Sequence, residues 1–169
     1  GKFFSYQWSK IEPDILATAK GMGGGFPIGA CLVTDKVSKG MKFGSHGSTF
    51  GGNPLACSVA KRVIEIISEK KFLNDLNQKV TFFANKLEAI KNTYNDLIDE
   101  IRGRGFLLGI KCKISNSIFI EKLRNNGLLV VEANESVIRI LPPLNVTMKD
   151  LKIALKIIEK TCIGINSKR

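Results

Sequence analysis

Ala19-Lys20-Gly21-Met22-Gly23-Gly24-Gly25-Phe26-Pro27-Ile28-Gly29-Ala30 is the stretch from which the rest of the chain can be read. One amine is followed by five glycines between Gly21 and Gly29. Glycine lacks a Cβ, so it admits tight turns and the close approach of a bulky flat group to the backbone. A lysine that forms a Schiff base with such a group needs these surroundings. The same residues also describe a flexible surface turn with a solvated lysine, and the loop alone does not separate the two.

Outward from this loop, Ile28 to Val33 is a short apolar run that reads as a buried strand. Gly44-Ser45-His46-Gly47-Ser48-Thr49-Phe50-Gly51-Gly52 is a second loop of small residues. It ends at Asn53-Pro54, an N-cap followed by proline at the first helical position. Leu55, Val59, Val63, Ile66 and Ile67 place one apolar stripe on the helix that follows. Glu69-Lys70-Lys71 marks a break or bend. Leu73, Leu76, Val80, Phe83, Leu87, Ile90, Tyr94 and Leu97 then step by three and four, the pattern of a long amphipathic helix.

Beyond it the period changes. Residues 101–105 read as a turn or the lead into a strand, and Phe106 to Ile110 as a buried strand. Ile118 to Arg124 is a short helix stopped by Asn125-Asn126-Gly127. Leu128 to Val131 and Val137 to Leu141 read as strands around the polar turn 132–136, and Pro142-Pro143 ends the second. Thr147 and Asp150 resemble a capping box with Asp in place of Glu or Gln, ahead of a helix striped by Leu151, Ala154, Leu155 and Ile158. From about residue 70 onward the chain reads as an α+β unit. Residues 1–52 carry the glycine loops but too few strands to bury them.

The composition is that of a globular protein, with 44% hydrophobic and 24% charged residues among 169. No apolar run has the length of a membrane span, so no membrane association is expected. The net charge of +11 raises an anionic-partner reading, but the basic residues are scattered, with no run of five and no aromatic interleaving. Nucleic-acid binding is therefore not expected. Cys31, Cys57, Cys112 and Cys162 are far apart and His46 stands alone, so no metal site is expected. Free buried thiols and a cytoplasmic location are expected instead. His46 lacks a neighbouring nucleophile pattern and reads as a structural loop residue. The N-terminus, Gly1-Lys2-Phe3-Phe4, resembles neither a signal nor a transit peptide and lacks a starting methionine. The chain is expected to be a piece of something longer.

Two further constellations join Lys20. Ser48-Thr49 offers hydroxyls in a small-residue loop before a helix, a setting that suits a phosphate or carboxylate; taken alone they read first as turn hydroxyls. Arg139, in Val137-Ile138-Arg139-Ile140-Leu141-Pro142-Pro143-Leu144, is a lone charge in an apolar strand, and its planar fork matches a carboxylate. It could instead snorkel from an edge strand or pair with Glu132 or Glu135. Neither glycine loop has a nucleotide-binding spacing.

The order of these motifs resembles the class III, pyridoxal-phosphate-dependent aminotransferases, and within them the acetylornithine aminotransferase group. The matching stretches are Glu12-Pro13-Asp14-Ile15, the Lys20 loop, His46-Gly47-Ser48-Thr49-Phe50-Gly51-Gly52-Asn53-Pro54-Leu55-Ala56, Ile101-Arg102-Gly103-Arg104-Gly105-Phe106-Leu107-Leu108-Gly109, and Arg139 to Leu144. The resemblance implies an α/β fold class: the C-terminal part of a fold type I pyridoxal-phosphate-dependent transferase. Residues 1–69 would end the large cofactor-binding domain with a linking helix, and residues 70–169 would form the small α+β domain. It implies that Lys20 is the catalytic lysine that carries pyridoxal 5'-phosphate. Thr49 would bind the cofactor phosphate across a dimer interface, Ser48 would contact substrate, and Arg139 would hold the substrate carboxylate.

The implied reaction is amino transfer between N-acetylornithine and 2-oxoglutarate in arginine biosynthesis, in a homodimer whose site is shared between subunits. Succinyldiaminopimelate, ornithine and 4-aminobutyrate are alternative donors, and a catalytically dead fragment is an alternative reading. The family's upstream Asp-Glu-x-Gln segment, Gly-Thr phosphate loop, ring-stacking aromatic and second substrate arginine have no match here. The chain alone is therefore expected to be inactive or very weak.

Overall fold

The computed structural model describes residues 1–167. A single helical turn, α1 (Tyr6–Ser9), precedes β1 (Ile15–Thr18). A 3₁₀ turn over Lys20–Gly23 then leads to β2 (Ala30–Val33), which pairs antiparallel with β1 from Ile15↔Val33 to Thr18↔Ala30. The strand expected from Ile28 is thus two residues shorter at its start. A short α2 (Asp35–Ser38) and the second small-residue loop lead to α3 (Pro54–Ser68). Asn53 caps α3 as expected: its Oδ1 accepts from the Ala56 N–H at 2.9 Å. Ala56 and Ala60 are its buried positions, and α3 packs on the turn that carries Lys20.

Glu69 is extended, with φ −60° and ψ 128°, which separates α3 from α4 (Lys70–Thr93). Leu76, Phe83, Leu87 and Ile90 are the buried stripe of α4. Tyr94 and Leu97, expected on the same helix, lie past its end. The next segment is a correction. Where residues 101–105 are expected as a turn or the lead into a strand, a full strand, β3 (Ile98–Arg104), starts three residues earlier, and a register shift between Ile98 and Glu100 breaks its alternation. β4 (Leu107–Cys112), α5 (Asn116–Asn125), β5 (Val131–Ala133), β6 (Val137–Ile140) and α6 (Met148–Asn166) follow. β5 is a second correction: Leu128–Val130 are outside it, and Leu129 is 82% exposed. Thr147 caps α6 as expected, with Oγ1 accepting from the Asp150 N–H at 3.1 Å. Its hydroxyl also donates to the Asp150 carboxylate at 2.6 Å, so the acidic residue bonds the cap hydroxyl.

The four later strands form one antiparallel sheet in the order β3-β4-β6-β5. Its period of two sorts the residues onto two faces. Leu108, Ile110, Ile138 and Ile140 are buried on one face. With Phe83, Phe119, Leu123, Leu151, Ile158 and Cys162 they form the core of this part of the chain. Each such residue contributes about 1.5–3 kcal/mol relative to exposure. Phe83 meets Phe106 edge to face at 6.3 Å between ring centroids. On the opposite face one row places Arg102 opposite Gly109, Gly109 opposite Arg139, and Arg139 opposite Val131.

The chain divides into two compact units, Lys2–Asn74 and Asp75 onward with Gly1. No described helix is long and apolar enough to cross a membrane.

Candidate functional site

Lys20 is the first residue of the turn after β1, and its φ is +51°. Left-handed backbone at a side-chain-bearing residue costs on the order of 1–2 kcal/mol, so it persists only where its surroundings impose it. Here the turn itself imposes it. Met22 N–H donates to Ala19 O at 3.1 Å, Gly24 N–H to Gly21 O at 3.1 Å and Phe26 N–H to Gly23 O at 2.9 Å. Gly24 has φ +56°, and a Cβ there would sit 3.0 Å from Val63 Cγ2 on α3. Glycine at this position therefore answers both a backbone and a packing requirement. Lys20 is exposed, and among the described residues its amine has no ion-pair partner. A depression of about 470 Å³ lies beside it, lined by Gly21, Gly24, Gly25, Phe26, Pro27 and Ile28.

The second loop lies beside the first. A depression of about 410 Å³ is lined by Met22 and Pro27–Ala30 from the first loop, by Ser48 and Phe50–Asn53 from the second, and by Ala56 and Cys57 of α3. Pro27 and Ile28 are walls of both depressions. The fold thus brings Ser48 to the loop that carries Lys20. Thr49 is exposed in the same turn but lines neither depression. The turn is held by Gly51 N–H donating to Ser48 O at 3.2 Å and by the Asn53 side-chain amide donating to Phe50 O at 2.9 Å. No described residue hydrogen-bonds either the Ser48 or the Thr49 hydroxyl. Both are free to donate to, or accept from, a ligand. His46 is exposed in the same loop.

Arg139 belongs to the other unit. It stands on β6, an inner strand paired on both sides, so the edge-strand alternative does not hold. The pairing alternatives do not hold either. Among the described residues no carboxylate lies within 4.0 Å of its guanidinium, because Glu135 pairs with Arg102 instead (Nη1–Oε2 3.2 Å). Arg102 also holds Glu100 through Nη2 at 3.2 Å. Arg102, Gly109, Glu135 and Arg139 line one depression of about 610 Å³ on the open face of the sheet. A Cβ on Gly109 would lie 2.8 Å from Val137 Cγ1 and 3.3 Å from Arg102 Cγ, so a side chain here would crowd Val137 and the stem of Arg102. Arg102 is the residue that sequence reasoning passes over. Its motif was legible, but its partner lies 33 positions away.

The cysteines divide. Cys112 and Cys162 are buried, and burial pushes both thiols up to about 12. Cys31 and Cys57 are exposed, against the expectation of buried thiols throughout. Among the described residues no cluster of three or more metal-ligating side chains occurs.

Comparison with known proteins gives the family of the chain. The family model for aminotransferase class-III matches residues 1–162. Acetylornithine aminotransferase of Mesorhizobium japonicum is 46% identical over 165 residues, covering 98% of this chain and 41% of that protein. The crystal structure of acetylornithine aminotransferase from Elizabethkingia anophelis superposes with a TM-score of 0.87 at 33% identity, covering 96% of this chain and 44% of that one. Ornithine aminotransferase from Toxoplasma gondii gives a TM-score of 0.91 at 31% identity, covering 99% of this chain and 41% of that one. The chain therefore spans about two fifths of the length of the relatives it matches. A family match over residues 1–162 and relatives of this identity show that the chain belongs to the class-III aminotransferases.

Proposed function

We propose that this chain is the C-terminal part of a pyridoxal-phosphate-dependent aminotransferase that exchanges the amino group of N-acetylornithine with 2-oxoglutarate, in arginine biosynthesis. The observation that carries the reading is the amine of Lys20, displayed in left-handed backbone at the lip of a glycine turn beside a loop with two unengaged hydroxyls. These donors suit a flat phosphorylated aldehyde: an amine with no ion-pair partner, hydroxyls for a phosphate, and an open side. A Cβ on Gly21 or Gly25 would meet nothing within 4 Å. The family depends on pyridoxal phosphate, which when bound draws electrons away from the substrate α-carbon.

The chain's own residues would do the rest. Lys20 would hold the cofactor and, once displaced by substrate, move the proton at the α-carbon. Thr49 would donate its hydroxyl to the cofactor phosphate and Ser48 would contact substrate. Arg139 would grip the substrate carboxylate, and a guanidinium with no internal carboxylate partner is ready for one. Residues 1–69 would complete the cofactor-binding domain and 70–169 the small domain of a cytoplasmic homodimer whose site is shared between subunits. With about two fifths of the relatives' length, the chain alone would be inactive or very weak.

The relatives' names favour N-acetylornithine as donor, and the similarity to an ornithine aminotransferase keeps ornithine as the second reading. Adding pyridoxal phosphate to the purified chain tests the cofactor role. A visible absorption band that Lys20→Ala abolishes is the expected result, and a band of equal strength in the variant refutes it. Comparing the two donors at equal concentration, in the longer enzyme that contains this chain, tests the substrate. Faster turnover of ornithine would overturn the N-acetylornithine reading.

A further inference from the structure

The open face of the sheet holds two arginines and a carboxylate around one depression: Arg102, Arg139 and Glu135. Arg102 and Arg139 flank Gly109 on the same row of the sheet. At the usual strand spacing of about 4.8 Å, their backbones stand about 10 Å apart. Glu135 sits in the turn between β5 and β6, four residues before Arg139, so its carboxylate is tethered near both guanidinium groups. It pairs with one of them: Arg102 takes Glu135 at 3.2 Å and leaves Arg139 without a carboxylate among the described residues. The turn also fixes where Glu135 can reach. Glu135 and Ser136 both adopt left-handed backbone, with φ of 60° and 59°, and Val137 N–H closes the turn on Asn134 O at 3.3 Å.

We propose that Arg102 is a positioning residue for carboxylate recognition: by capturing Glu135 it keeps that internal carboxylate off Arg139, so that the Arg139 guanidinium stays open to a substrate carboxylate. The inference rests on the reading of Arg139 as the carboxylate-binding residue. Without Arg102, the nearest cation left for Glu135 on the rim of this depression is Arg139, and an intramolecular carboxylate competes with a dissolved one at high effective concentration. Glu100, the other partner of Arg102, lies two residues from it on β3 rather than in the turn that leads to Arg139. Of these two carboxylates, Glu135 is the one placed to act as the competitor.

The test uses the full chain with ¹⁵N-labelled arginine and glutarate as the dicarboxylate probe, at constant ionic strength. The Nε–Hε signal of Arg139, identified by its disappearance in Arg139→Gln, is followed. Glutarate shifts it saturably in the wild-type chain. R102Q weakens the apparent affinity by about threefold, the scale of a solvent-exposed ion pair. R102Q/E135Q restores it, and R102K stays near wild type. R102Q/E100Q has the same net charge as R102Q/E135Q but keeps Glu135, and it remains weak. A general loss of sheet stability would persist in both double variants, so selective rescue by E135Q reads the capture of Glu135. Wild-type affinity in R102Q, failure of R102Q/E135Q to recover, or equal recovery in R102Q/E100Q would each overturn the proposal. An Arg139 signal indifferent to glutarate in the wild-type chain is a separate result: it removes the carboxylate role of Arg139, and the inference with it.

Discussion

Replacing Gly103 by alanine should open the hairpin that places Arg102 and Gly109 on the sheet. Gly103 has φ +112°, and a Cβ there would sit 2.1 Å from the Leu107 carbonyl oxygen and 3.1 Å from Leu108 Cα. No side-chain rotation relieves a collision with backbone, so the chain must move. The end of the β3–β4 ladder, Gly103↔Leu108 and Arg104↔Leu107, gives way first. Forcing a side-chain-bearing residue into this conformation costs on the order of 1–3 kcal/mol. Each ladder hydrogen bond lost adds about 1 kcal/mol. A total of about 3 kcal/mol or more follows, which lowers the melting temperature by about 12 °C or more for a unit of this size. Gly105 supplies the control. It also has positive φ, +64°, but its Cβ would meet nothing within 4 Å. Gly105→Ala should therefore cost only the backbone term, about 1 kcal/mol. Urea unfolding followed by circular dichroism measures both. Equal destabilisation by the two substitutions, or a loss under 1 kcal/mol for Gly103→Ala, would refute the reasoning.

Phe83 is fully buried against Phe106, so Phe83→Ala should cost about 3–5 kcal/mol in the same assay. Thr49→Val removes the hydroxyl proposed for the cofactor phosphate and should weaken pyridoxal-phosphate binding about tenfold without lowering the melting temperature, as followed by absorbance titration. Burial pushes the Cys112 and Cys162 thiols up to about 12 in the folded chain, from an ordinary value of 9.0. Their contribution to stability is therefore complete below about pH 9 and is lost as the pH rises from there towards about 12, because the unfolded chain ionises first. Urea midpoints across that window should fall, and the fall should shrink in Cys112→Ala. In native conditions a thiol reagent should label Cys31 and Cys57 quickly, and Cys112 and Cys162 only after unfolding.

What the sequence makes legible follows from how local the signal is. Asn53-Pro54, Thr147 with Asp150, and the three-and-four stepping of Leu76, Phe83, Leu87 and Ile90 are set by neighbours within a turn or two, and the fold reproduces them. β3 was hidden because Asp99, Glu100, Arg102 and Arg104 crowd it with charge and its register shift breaks the period of two. Leu128–Val130 misled in the other direction, since apolar residues there are left outside the ladder. At the site, the lysine turn and the hydroxyl loop are continuous motifs and were readable. That Ser48 and the Lys20 loop share one depression, and that Arg102 rather than Arg139 takes Glu135, depend on tertiary contacts and strand register that no stretch of sequence displays.

The most direct measurement is to reduce the chain with borohydride in the presence of limiting pyridoxal phosphate and map the modified lysine by peptide mass spectrometry. Lys20 should carry most of the label, well above exposed lysines such as Lys36, Lys39 and Lys42, and Lys20→Ala should take up little. Label spread evenly over the surface lysines, with uptake unchanged in Lys20→Ala, would contradict the role of Lys20 as the cofactor lysine.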